Sequence, residues 1–116
     1  MSKLDLTRIR EILVDEQIAL AADMQNEEDK LQQQSQENPD LSDLADKRLH
    51  QEMVVSRLSL MNQRLTQIRA ALKRLDEGRY GTCARCGIEI NPERLKAIPY
   101  TTLCVSCQER FERANR

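Results

Sequence analysis

Only three prolines and three glycines interrupt this chain of 116 residues, and five of those six lie beyond residue 77. Two segments, about 5–37 and 41–77, therefore run without a breaker, and both are predicted to be helices. Between them Glu37-Asn38-Pro39-Asp40 reads as a tight turn. Pro39 pushes Asn38 out of the helical region, Asp40 is placed to cap the second helix, and Gly78 is placed to end it.

The second segment carries Val54, Leu58, Met61, Leu65, Ile68, Leu72 and Leu75, spaced alternately four and three residues apart, which is an unbroken heptad seam. The first segment matches it through Leu6, Ile9, Leu13, Leu20, Met24 and Leu31, with polar residues at several intervening core positions, so its far half is expected to pack more loosely. Two helices of similar length joined by a short turn predict an antiparallel coiled-coil hairpin, each arm roughly 50 Å long at about 1.5 Å per residue. Pairing between two copies of the chain is the competing arrangement. Composition agrees with helices packed on each other rather than a thick globule. Hydrophobic residues make up 40%, charged residues 32%, and the aromatics are only Tyr80, Tyr100 and Phe111.

Four cysteines, Cys83-x2-Cys86 and Cys104-x2-Cys107, form two tight pairs separated by seventeen residues. That spacing suits one zinc ion held by both pairs. No apolar run approaches the length of a membrane span, and Met1 to Arg10 alternates charge with leucine where a signal peptide needs an apolar block. A cytoplasmic location is expected, and a reducing interior favours metal binding by these thiols over disulfides. With all four ligand positions filled by sulfur, the zinc is expected to be structural, replacing a core that thirty-odd residues cannot build. The thiols could also act as a redox sensor. Gly87 suits the tight backbone of the first pair. Arg79, Arg85, Arg94 and Lys96 can offset the charge of about −2 on a tetrathiolate zinc cluster, or contact a partner.

This reading gives residues 1–78 as the hairpin, with its tip at about 37–43. Residues 79–116 form a four-cysteine zinc-finger end finished by a short helix, Gln108 to Arg116, with Phe111 as its apolar anchor. The fold class is mainly α. His50, the sole histidine, falls among charged and amide residues and is expected to be solvated. No nucleophile and base pair and no glycine-rich phosphate loop can be proposed, so the chain is not expected to be an enzyme.

Charge is polarised along the sequence. Residues 1–52 hold 6 Lys/Arg against 13 Asp/Glu, whereas residues 53–116 hold 12 against 6. This pattern fits two solvated helix faces, a partner presenting both signs of charge, or a basic channel that accepts an acidic probe, better than a simple DNA binder. Asp40, Asp43 and Asp46 concentrate carboxylates at the start of the second helix. Acids there cap free N–H groups and complement the helix dipole, each contributing roughly 0.3–1 kcal/mol. Capping accounts readily for one of the three.

The stretch Asp40-x-x-Asp43-x-Ala45, the heptad-bearing second helix, Tyr80-Gly81-x-Cys83-x-x-Cys86-Gly87, Arg94-Leu95 and Leu103-Cys104-x-x-Cys107 together resemble the DksA/TraR family of bacterial transcription factors. The resemblance covers about residues 38–113 and implies a compact member without a long N-terminal extension. It implies a transcription regulator that binds RNA polymerase rather than a specific DNA sequence, and has no membrane role. The hairpin would enter the polymerase secondary channel, and Asp40, Asp43 and Ala45 at its tip would modulate promoter-complex stability. Positions that would align with basic alarmone-binding residues read Gln67, Ile98 and Gln108, with Arg64, Arg94 and Lys96 nearby, so weak or absent synergy with ppGpp is expected. The alternative functions are a zinc-ribbon module that binds nucleic acid directly and a transcript-cleavage cofactor of polymerase.

Overall fold

A computed structural model describes residues 3–35 and 41–115, the side chains of 3–4, 34–35 and 41–43 excepted. The expected turn at 37–40 lies outside the described residues. Four helices follow one another: α1 (Lys3–Ser35), α2 (Leu41–Asp76), α3 (Pro92–Ala97) and α4 (Val105–Ala114). Among the described residues there is no strand, only an isolated antiparallel bridge between Thr82 and Glu89. Among the described residues no helix is long and apolar enough to cross a membrane.

The chain divides into two compact units, one built from Met1–Gln17 with Thr66–Arg116 and the other from Ile18–Leu65. In the second unit Val54 and Leu65 are buried, with Leu58 and Met61 half-buried between them. Leu20, Met24 and Leu31 supply the α1 side and are each half-buried, the looser packing that the interrupted heptad predicts. Glu27, the α1 seam residue between Met24 and Leu31, is buried and ion-paired with Arg57 on α2 at 3.3 Å. Only five residues separate the end of α1 from the start of α2 in sequence, so a contact between residues 27 and 57 is that of an antiparallel pair.

In the first unit Leu13 of α1 is buried, as are Ile68 and Ala71 toward the end of the α2 seam, with Leu72 and Leu75 half-buried. Fully burying a side chain such as Leu13 or Ile68 contributes about 1.5–3 kcal/mol. Arg10 reaches Asp76 at 2.6 Å, which again joins α1 to α2 in antiparallel sense. All seven α2 positions read as the seam are therefore withdrawn from water, each buried or half-buried. His50 is exposed, as its polar neighbours suggest.

The C-terminal helix departs from the sequence reading. It begins at Val105 rather than Gln108, because the second cysteine pair itself starts it: Cys104 is the N-cap, and the Gln108 N–H donates to the Cys104 carbonyl at 2.9 Å. Phe111 is 50% exposed and is not a buried anchor; the buried residue of α4 is Cys107. The metal ligand, not the aromatic ring, ties this helix down.

Candidate metal centre

The route from α2 into the cysteine region is set by a glycine end-cap. Gly78 has φ +72°, its N–H donates to the Leu75 carbonyl at 3.2 Å, and the Arg79 N–H donates to the Arg74 carbonyl at 2.8 Å. These are the paired bonds of a Schellman motif, which satisfies the last carbonyls of a helix and turns the chain out of it. The Arg74 guanidinium then reaches forward, donating through Nη2 to the carbonyls of Arg79 at 3.3 Å and Thr82 at 2.7 Å. One side chain thus ties the end of α2 to the residue before the first ligand.

The first cysteine pair is closed by backbone bonds. The Cys83 N–H donates to the Ile88 carbonyl at 2.8 Å, the Ile90 N–H to the Gly81 carbonyl at 2.8 Å, and the Gly87 N–H to the Cys83 carbonyl at 3.1 Å. Gly87 has φ +79°, a left-handed conformation that disfavours residues with a Cβ, as the tightness of this turn predicts. The second pair is stitched to the first where the Ala84 N–H donates to the Thr102 carbonyl at 2.8 Å. Arg94 on α3 completes the frame, with Nε donating to the Leu103 carbonyl at 3.2 Å and Nη2 to Thr101 Oγ1 at 3.4 Å. The Thr101 hydroxyl in turn donates to the Leu103 carbonyl at 3.0 Å.

Around the ligands lies a small apolar cluster of Ile90 and Leu95 with Cys83, Cys104 and Cys107, against which Tyr80 and Leu103 pack. The Tyr80 hydroxyl donates to the Pro99 carbonyl at 2.8 Å, and burial pushes its pKa up to about 12. Sequence reasoning did not single out Ile90 or Arg74, and it missed α3. The signal for α3 was present in Asn91-Pro92: Asn91 caps the helix by accepting from the Glu93 N–H at 2.9 Å, and proline at the first helical position is favourable.

The four sulfurs converge. Sγ atoms of Cys83, Cys86, Cys104 and Cys107 all lie within 4.8 Å of one another, and those of Cys86 and Cys104 are 3.7 Å apart. A tetrahedral zinc with bonds of about 2.3 Å separates its sulfurs by about 3.8 Å, so the donor set fits that ion closely. Three of the cysteines are buried and Cys86 is exposed. Burial alone would raise the Cys83 thiol, but N–H groups of Cys104, Cys86 and Arg85 and the Cys86 thiol favour its thiolate and pull it down to about 5. Burial and the neighbouring thiols of Cys104, Cys83 and Cys86 push Cys107 up to about 12. Backbone donors aimed at a ligand sulfur are the outer-shell support that a negatively charged zinc–thiolate cluster needs.

The four basic residues flagged around the site differ in what they do. Arg94 is half-buried and spends its guanidinium on the loop before Cys104. Arg79 pairs with Glu77, and Lys96 with Glu93 at 3.6 Å, both at the surface. Arg85 is exposed and its side chain has no hydrogen bond or ion pair among the described residues. At the other candidate site, Asp40 lies outside the described residues and Asp43 is described only as part of the α2 backbone, while Ala45 and Asp46 are exposed.

Comparison with known proteins converges on the same features. The prokaryotic dksA/traR C4-type zinc finger profile matches residues 78–113, which contain all four cysteines. An RNA polymerase-binding transcription factor DksA from Caulobacter vibrioides is 33% identical over 86 residues, covering 74% of this chain and 61% of that protein. An uncharacterized protein from Aquifex aeolicus is 36% identical over 84 residues, covering 72% of this chain and 58% of its own length. The chain thus spans about three fifths of the length of these curated relatives. The solved structure of transcription factor DksA2 from Pseudomonas aeruginosa superposes with a TM-score of 0.85 at 28% identity, covering 100% of this chain and 89% of that one. A C4-type family and four converging sulfurs together assign one structural zinc ion to this site.

Proposed function

We propose that this chain, which belongs to the DksA/TraR family, is a transcription regulator that binds RNA polymerase and carries an acidic helical tip into the secondary channel. The observation that carries this reading is the likeness over the whole chain to a DksA2 transcription factor, joined to a relative described as RNA polymerase-binding. In this reading residues 1–78 form the probe and residues 79–116 the seat that limits how far it enters. Asp40 and Asp43, with Ala45, are the effector residues, acting near the polymerase active centre to alter promoter-complex lifetime. Thirteen acidic against six basic residues in positions 1–52 give the probe the sign that a basic channel attracts. Polymerase performs the chemistry. Synergy with ppGpp is weak or absent, because Gln67, Ile98 and Gln108 offer no cation. Arg94 cannot take their place, since its guanidinium is held by Leu103 and Thr101.

The test is a titration of wild type and an Asp40→Asn, Asp43→Asn variant against core polymerase, with promoter-complex lifetime recorded alongside affinity. Retained binding with loss of the lifetime effect supports the assignment. A variant that changes lifetime as the wild type does removes the tip from the mechanism. Shortening of RNA in a stalled complex would move the chain to the transcript-cleavage class, and tight, strongly salt-dependent binding to free DNA to the nucleic-acid-binding class.

A further inference from the structure

The α2 seam is apolar at every heptad position from Val54 to Leu75, and such a seam pairs readily with any similar surface, including the α2 of a second copy. The α1 seam is interrupted by polar residues, and among the described ones Glu27 is the one that is buried. Leu20, Met24, Glu27 and Leu31 follow the four, three, four spacing, so Glu27 takes a core position between two apolar residues. Its side chain is only 10% exposed. The carboxylate oxygens lie 3.3 and 3.5 Å from Arg57 Nη1 on α2, and Oε1 also lies 3.3 Å from Lys30 Nζ on its own helix.

We infer that Glu27 and Arg57 form the pairing-specificity determinant of this chain, selecting antiparallel α1–α2 pairing over association of like helices. A buried carboxylate is tolerated only where its oxygens are met by cations, and without Arg57 only Lys30 remains, on Oε1, so Oε2 is left out of water with no partner among the described residues. Lys30, three residues on and on the same helix, accompanies Glu27 into any pairing and cannot discriminate between them. Arg57 meets Glu27 only when α2 lies against α1 with residue 57 opposite residue 27. A single polar core residue fixes orientation and oligomeric state in coiled coils at a cost in stability, and Glu27 occupies that role here. The inference does not rest on the polymerase reading.

Five variants of the full, zinc-loaded chain test it by sedimentation equilibrium over a wide concentration range and by urea unfolding. Glu27→Leu makes the seam apolar from Leu20 to Leu31 and is expected to raise the urea midpoint while turning a single species into a concentration-dependent mixture. Glu27→Arg and Arg57→Glu are each expected to lower the midpoint, and the two together to recover more than the sum of the single changes allows. Lys30→Gln is expected to leave the mass distribution as in the wild type. A Glu27→Leu protein that keeps one mass at all concentrations overturns the inference, as does a charge swap that recovers nothing. The recovery readout separates a specific pair from a merely solvated acid, since only a specific pair is restored by exchange of its charges.

Discussion

Removal of zinc by a chelator in reducing buffer is expected to unfold the cysteine-bearing end and spare most of the helix. The apolar cluster around the ligands offers Ile90 and Leu95 as its buried aliphatic side chains, and these contribute together about 3–6 kcal/mol. Zinc binding by a four-ligand structural site contributes about 10–16 kcal/mol, so the ion dominates and the cluster alone does not hold the lobe. The helical content that depends on it is small. α3 and α4 contain 6 and 10 residues, whereas α1 and α2 contain 33 and 36, so about a fifth of the far-ultraviolet helical signal should disappear. Circular dichroism against chelator concentration, with released zinc measured by a colorimetric indicator, reads both quantities in one titration. A signal unchanged after full zinc release would show that the small core suffices. Loss of more than half would show that the α1–α2 seams cannot pair without the ion.

Zinc affinity should fall as the solution is acidified. At pH 7 Cys83, at about 5, is already a thiolate, while Cys107, at about 12, still carries its proton. Binding at neutral pH therefore expels the Cys107 proton, and below about pH 5 the Cys83 proton as well, adding about one decade of affinity loss per pH unit, measurable by competition with a chromophoric chelator. Gly87→Ala meets no heavy atom within 4 Å of the new Cβ, so only its φ of +79° opposes the change. The cost should be about 1–2 kcal/mol in zinc-saturated urea unfolding, and Gly87→Asn should cost less because asparagine tolerates this conformation. Arg85→Ala and Arg94→Ala should separate cleanly. The first should leave thermal stability unchanged and weaken polymerase binding if the zinc end makes the contact; the second should lower stability, because two backbone-ordering bonds to the loop before Cys104 are lost.

The parts of this fold that were legible in the sequence are those whose cause is local. Two long stretches without proline or glycine, a heptad that never slips from Val54 to Leu75, and two Cys-x-x-Cys pairs each state their consequence within a few residues. Gly78 and Gly87 belong with them, since each sits where a positive φ closes a turn. Phe111 was misread because hydrophobicity alone made it the natural anchor of a short helix. The neighbouring cysteine pair instead starts α4 at Val105 and places Cys107, not the ring, in the interior.

What the sequence concealed has its cause far along the chain. Glu27 and Arg57 stand thirty residues apart, and each taken singly reads as an ordinary solvated charge. Only the antiparallel arrangement gives the acid its cation. The cations around the zinc show the same limit from the other side, because Arg79, Arg85, Arg94 and Lys96 were indistinguishable as a cluster of positive charge. Position separates them: Arg94 is consumed by the frame, Arg79 and Lys96 face acids beside them, and Arg85 alone of the four presents a side chain to which no described residue bonds. A partner that recognises this end by charge therefore has most to gain at Arg85, since contact with Arg79 or Lys96 must first compete with an existing pair, and contact with Arg94 would loosen the loop that positions Cys104.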